Sequence, residues 1–307
     1  MFNKNKHKIK NDELSNNKHT IKNDKLSKNT QNITNNELSK KDQVIIGIDF
    51  GSCGITFAYA FLDDPQKTIF SAKFEEQGID NKVSTEIILD EQLDKVLKFG
   101  NECNTYLSSI GDKKFHHFKN IKMNLYLQKY KIKSNNSGKE VDIQFIITKI
   151  LIEVKNKAKS EIKKYHPDLK EKNIHWIIAV PVIWDIKSKQ IMINSAQDAG
   201  LIRDDDDLSN YFALEPEAAS IYYHNSPQGM KNKDIDSGIP FILLDLGSGT
   251  ADIVTQKKVL NDKKETKFEE LYLPIGGDCG CNKINENFID KIIKELFGDK
   301  CYKETKE

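Results

Sequence analysis

No run of the 307-residue sequence approaches the roughly 20 consecutive apolar residues of a membrane-spanning helix, so a role away from the membrane is expected. The first residues are rich in Lys and Asn and lack the apolar stretch of a secretory signal, which points to the cytoplasm. Cysteine is sparse: Cys53, Cys103, Cys279, Cys281 and Cys301 are odd in number and scattered, unlike a disulfide framework, and reduced thiols are expected. There is no G-x-x-x-x-G-K-S/T loop, which argues against a P-loop enzyme. Excess charge of one sign is also missing over the whole chain, with 47 Lys+Arg against 46 Asp+Glu; the basic first residues could touch nucleic acid or an acidic surface, but their modest charge favours a solvated leader, and no nucleic-acid partner is expected.

What is present falls into two textures. Residues 1–42 carry ten Lys against five Asp/Glu and repeat with a period of twelve: His7-Lys8-Ile9-Lys10-Asn11-Asp12 returns as His19-Thr20-Ile21-Lys22-Asn23-Asp24, each followed by Leu-Ser. So few apolar residues per repeat cannot offset about 1–2 kcal/mol of backbone entropy per residue, so a disordered low-complexity tail is expected. From Val44 the pattern changes to α/β alternation. The run Val44-Ile45-Ile46-Gly47-Ile48-Asp49 ends in an acid, passes Gly51 and Gly54, and continues into Thr56-Phe57-Ala58-Tyr59-Ala60-Phe61, which reads as strand, glycine turn, strand. The same idea recurs at Phe241-Ile242-Leu243-Leu244-Asp245-Leu246-Gly247-Ser248-Gly249-Thr250-Ala251-Asp252. Between the two lie a helical pattern over residues 141–165, a buried-strand run over 174–181, an amphipathic helix over 186–199, a strand over 211–215 and a helix opening at Pro216. The expected organisation is a first lobe over 43–232, with an inserted subdomain at about 74–139, and a partial second lobe over 239–307.

An acid at the end of a buried strand followed by glycines suits phosphate binding, because glycine lets backbone N–H groups approach the oxygens while the carboxylate faces a divalent cation or its waters. One such loop is an ordinary turn. Two of them about 200 residues apart, each opening a lobe, point to a cleft that holds one polyphosphate from both sides.

These motifs resemble those of the heat shock protein 70 family. Ile48-Asp49-Phe50-Gly51-Ser52 is similar to its first phosphate motif, Asp245 to Asp252 to its second, and Leu214-Glu215-Pro216-Glu217-Ala218-Ala219 to its connecting motif. Pro274-Ile275-Gly276-Gly277-Asp278 resembles the divergent branch typified by heat shock 70 kDa protein 12, and the likeness spans about residues 43–298. The resemblance implies an α/β, actin-like ATPase (ribonuclease H-like) fold of two lobes, with ATP or ADP and hydrated Mg²⁺ between them. It implies that Gly51, Ser52 and the position of Cys53 meet the phosphates from one side and Gly247, Ser248, Gly249 and Thr250 from the other, with Gly276 and Gly277 also at the nucleotide. Asp49 and Asp245 would hold the metal through its waters, Glu215 would order that shell, and Asp252 would orient or deprotonate the attacking water.

Three departures from the family pattern imply weak hydrolysis. Cys53 replaces a hydroxyl, and the position of the family's catalytic lysine falls on Asn104. Lys119 and Lys122 are the nearby cations that could supply this charge, and both read more simply as surface lysines on a helix. The chain also ends before the family's adenosine-binding glycine motif and carries no peptide-binding β-domain, so the second lobe is expected to be incomplete. The expected function is an ATP-binding protein with weak or no Mg-dependent hydrolysis; the alternative is a truncated, non-catalytic interaction module with protein partners. A sugar or acetate kinase on the same fold lacks an identifiable acceptor pocket. Cys279-Gly280-Cys281 has no second thiol pair and reads as a turn, His116-His117 as helix surface, and Asp204 to Asp207 as a solvated connection.

Overall fold

The computed structural model describes residues 43–63, 70–71, 82–109, 114–203, 211–226, 229, 238–261 and 266–306. The repeats of residues 1–42, the acids Asp204 to Asp207 and most of the linker from Pro227 to Gly238 lie outside the described residues.

The chain enters its first sheet with β1 (Val44–Phe50) and returns antiparallel in β2 (Gly54–Phe61), which also pairs with the short strands β3 (Phe70–Ser71) and β4 (Val83–Ser84). Alternation decides the faces: Val44, Ile46, Ile48 and Phe50 are buried on one side of β1, as are Ile55, Phe57 and Tyr59 on β2. An excursion follows, made of β5 (Ile87–Asp90), β6 (Val96–Phe99), helix α1 (Glu102–Ser109), β7 (Phe115–Phe118), helix α2 (Ile121–Tyr126) and the hairpin β8 (Lys131–Lys133) and β9 (Glu140–Asp142). Helix α3 (Ile143–Tyr165) then buries Ile143, Ile146, Ile147, Ile150, Leu151, Val154, Ala158 and Ile162, the stripe that a 3.6-residue period dictates. Its N-terminus is capped by the Asp142 carboxylate, which accepts the Gln144 N–H at 2.8 Å.

Strand β10 (Ile174–Val180) lies parallel to β1, helix α4 (Ile186–Asp198) packs on α3, and β11 (Phe212–Leu214) adds parallel to β10. The order is therefore β3-β2-β1-β10-β11, three antiparallel strands continued by two parallel ones. Helix α5 (Glu215–Asn225) follows directly, with Pro216 in its first turn.

The second sheet is antiparallel. Strands β12 (Phe241–Leu246), β13 (Ala251–Leu260) and β14 (Thr266–Glu270) run in that order, and β15 (Ile275–Gly277) pairs with the start of β13. Helix α6 (Cys281–Phe288) continues through a π-helical turn (Ile289–Ile293) into α7 (Lys294–Lys306). Both sheets belong to one compact unit, and the buried Ser220 hydroxyl on α5 donates to Gln256 Oε1 on β13 at 2.6 Å, fastening one to the other. The α/β class read from the sequence is the one found, with the two acid-tipped glycine turns on separate sheets.

Two local readings are corrected. His116-His117 is strand, not helix surface: both residues lie on β7, and His117 is buried with its Nε2 2.8 Å from Glu86 Oε2. Lys122 is not a surface lysine, since only 8% of the residue is exposed, whereas Lys119 is exposed. Among the described residues, no helix is long and apolar enough to cross a membrane.

Candidate functional site

Strand register brings the acids of the first lobe to one edge. Asp49 pairs with Thr56 across the hairpin and with Ala179 on β10, while Val180 pairs with Leu214, so Glu215 leaves the sheet beside Asp49. These are the carboxyl ends of the parallel strands, where open α/β sheets present their ligand sites. The loop from Gly51 to Cys53 is fixed from behind: the Thr85 hydroxyl donates to Gly51 O at 2.7 Å, and the Thr85 N–H to Cys53 O at 3.4 Å.

In the second lobe, Asp245 stands directly opposite Asp252, and Asp252 opposite Gly276. Like charges in cross-strand register repel, so the pair costs stability unless a cation answers it. Asp252 is 4% exposed, accepts the Thr250 hydroxyl at 3.3 Å through Oδ2, and finds no partner for Oδ1 among the described residues. Burial, with help from Asp245 and against the Thr250 hydrogen bond, pushes its carboxyl above the ordinary range. Gly276 is glycine because a β-carbon there would collide with Asp252 Oδ1 and approach Ile183 Cδ1 to 2.8 Å.

The second glycine loop is held by the start of α6. The N–H groups of Gly280, Cys281 and Asn282 donate to the carbonyls of Gly249, Gly247 and Ser248 at 3.2, 3.1 and 2.8 Å. A trans peptide directs its N–H opposite to its C=O, so the N–H groups of Ser248, Gly249 and Thr250 face away from α6. That leaves a set of donors suited to an anion on the far side.

The two loops meet. A β-carbon on Gly249 would run into Met123 Sδ and lie 2.6 Å from Ser52 Oγ. Around this junction opens a cleft of about 970 Å³ lined by Asp49, Gly51, Ser52 and Thr56 from the first lobe and Asp245 and Gly247 to Thr250 from the second. Glu215, Lys82 and Lys122 also line it, and its wall is apolar at Phe57, Ile177, Ala213, Tyr222 and Leu246. Lys122 Nζ is 2.5 Å from Glu215 Oε1, with the two side chains 10% and 13% exposed. Burial raises the Glu215 carboxyl above its usual range in spite of Lys122, and Asp49 and Asp245 add to the rise.

Four of the residues singled out in the sequence stand back from the cleft wall. Asp252 lies beneath it; Gly276 and Gly277 are on β15; and the Cys53 thiol reaches across to α6, where Asn282 Nδ2 donates to Sγ at 3.3 Å. Asn104 is exposed on α1. Sequence reasoning missed the contributions of Lys82, Thr85, Met123, Gly280 and Asn282. Only Gly280 carried a signal, as the glycine between two cysteines ahead of a helix.

No family model matches the chain. It is 24% identical over 319 residues to mouse heat shock 70 kDa protein 12A and 26% identical over 321 residues to human heat shock 70 kDa protein 12B, with 83% and 84% of this chain aligned. Those alignments cover 46% and 45% of the relatives, so the chain spans about half the length of the curated relatives it matches. Among solved structures it is similar to MreB5 of Spiroplasma citri bound to ADP, with a TM-score of 0.49 and 10% identity over 83% of this chain and 57% of that one.

Proposed function

We propose that this divergent relative of heat shock 70 kDa proteins 12A and 12B binds a magnesium–nucleotide, ATP or ADP, between its two glycine loops and hydrolyses ATP slowly. The observation that carries the reading is the meeting of Ser52 and Gly249 in one cleft whose rim holds Asp49 and Asp245. Among the described residues no three His, Cys, Asp or Glu side chains converge as direct ligands of a metal. Mg²⁺ retains several of its waters and takes hard oxygen donors, so spaced carboxylates suit it.

In this reading the loop N–H groups and the Ser52 and Thr250 hydroxyls bind the phosphates, and Asp49 and Asp245 hold the hydrated metal. The bound ion supplies charge neutralisation along the phosphates. Asp252, with its raised proton affinity and its place behind Asp245, accepts a proton from the attacking water more readily than an ordinary carboxylate does. Asn104 offers no cation at the position that carries a lysine in the heat shock protein 70 pattern, so a cation at the terminal phosphate has to come from another segment.

Asp245→Ala is expected to weaken Mg-ATP binding by about tenfold or more, the effect of losing a ligand or its immediate support. Isothermal titration with Mg-ATP, and with ATP in EDTA, reads this directly. Equal affinities in wild type and variant would remove Asp245 from the site. A non-catalytic, protein-binding module is favoured by one feature: Ile242, Leu244, Leu246 and Ile275 of the second sheet are each more than half exposed. The same titration separates the two, because that reading predicts no heat and no thermal shift with Mg-ATP.

A further inference from the structure

We propose that Lys122 is the cation that neutralises the terminal phosphate and makes the cleft prefer a nucleoside triphosphate to the diphosphate. The inference rests on the nucleotide reading above and assigns within it a residue that the family pattern does not supply.

Helix α2 is short, yet it is firmly seated: Ile121 is fully buried and Leu125 is 1% exposed. That anchoring sets Lys122 and Met123, which lie between them. Met123 lies against Gly249 at the loop junction, and Lys122 turns to Glu215 at the carboxyl edge of the first sheet. Lys122 is thus held in the cleft, next to the residue that touches the second phosphate loop, where the end of a polyphosphate lying between both loops would arrive.

Burying an ammonium costs several kcal/mol of desolvation, and a single carboxylate returns that only with good geometry and further hydrogen bonds. Here the return is partial. An ammonium has three donors, and the hydrogen bond recorded for Lys122 among the described residues goes to Glu215 alone. Glu215 is itself crowded by Asp49 and Asp245, and Asp252 also feels the Lys122 charge. One buried lysine thus answers Glu215 directly and Asp252 at longer range, while Asp49 and Asp245 add negative charge at Glu215, so a bare polyanion is repelled except where the lysine and a metal stand. Lys82 is the other cation on the cleft wall, but it is exposed at the mouth, with its stem across Gly54 and Nζ beside Gly51. It can attract either nucleotide without reading the length of the phosphate chain.

The test is calorimetric titration of Mg-ATP and Mg-ADP into wild type, Lys122→Met, Lys122→Arg and Lys82→Met, with melting temperatures recorded for each. Lys122→Met is expected to lose about tenfold or more in ATP affinity, the scale of one truncated buried charge contact, and no more than about threefold for ADP. Lys122→Arg should restore most of the preference, and Lys82→Met should weaken both nucleotides alike. Equal losses for ATP and ADP in Lys122→Met, or a selective loss of ATP in Lys82→Met instead, would overturn the assignment. Should Lys122→Met fail to fold because Glu215 is left without its partner, the double variant Lys122→Met/Glu215→Gln removes the orphaned charge. Its ATP to ADP ratio, set against that of Glu215→Gln alone, then decides. A wild type that binds neither nucleotide refutes the underlying reading and Lys122 with it, an outcome distinct from selective failure of the variant.

Discussion

Asp252→Asn is expected to make the protein more stable at neutral pH and to lower the ATP turnover proposed above. The carboxylate is buried, one of its oxygens finds no partner among the described residues, and Asp245 faces it across the ladder. Burial holds its folded-state proton affinity above that of the unfolded chain. The sign follows from linkage: below the unfolded value, near 4, both states are protonated and the residue costs nothing. As pH rises, the unfolded chain ionises first and the folded state falls behind, so the penalty is complete above the folded value. Removing the charge should therefore add about 1–3 kcal/mol at pH 7 to 8, the scale of an unsatisfied buried polar group. The gain should fade to nothing near pH 4. Thermal melts in EDTA across that range measure it, and a variant no more stable than wild type at pH 7.5 would show that the buried Asp252 carboxylate carries no such penalty. Steady-state turnover should fall by about 10² or more, the usual worth of a positioned general base.

Gly280→Ala should damage the nucleotide site without touching the cleft wall. The backbone of Gly280, at φ −71° and ψ −179°, is open to any residue, so the demand for glycine is purely steric. A β-carbon would lie 2.6 Å from Gly249 C and Ser248 O and 2.7 Å from Gly247 O. These are backbone atoms of the second loop and cannot swing aside as a side chain does. Either the loop moves or α6 withdraws, and the three N–H to carbonyl hydrogen bonds that aim the loop are stretched or lost. Overpacking of this kind costs about 1–3 kcal/mol, and Mg-ATP affinity should drop about tenfold with it. Gly277→Ala is the control, because its β-carbon would meet only Cys279 Sγ at 3.5 Å, an ordinary contact. A Gly280→Ala protein with unchanged melting temperature and affinity would mean that the loop tolerates displacement and does not depend on α6.

The parts of the site legible in the sequence are those written in a few consecutive residues. Asp49 with Gly51, and Asp245 with Gly247 and Gly249, declare themselves because strand, acid and turn are neighbours along the chain. The helix over Ile143–Tyr165 declares itself through its apolar period, and its end falls where His166-Pro167 forbids continuation. Lys122 reads as surface in the sequence because nothing in its own segment marks a lysine that will meet a carboxylate 93 residues away. The His116-His117 pair reads as helix in the sequence for a related reason: on a strand, successive residues face opposite ways, and only the pairing of β7 with β5 turns His117 toward Glu86.

Local chemistry alone settled the α/β character, the two acid-tipped glycine turns and the order of the motifs, since backbone preference and hydrophobic period act over a few residues. Tertiary structure alone decided that Ser52 and Gly249 touch, that Cys53 turns to Asn282 across 229 positions, and that the cleft holds a buried lysine. Those contacts depend on strand register and on α2 and α6 packing against loops from other parts of the chain. Electrostatic partnership is a property of distance in space, and no spacing along the sequence encodes it.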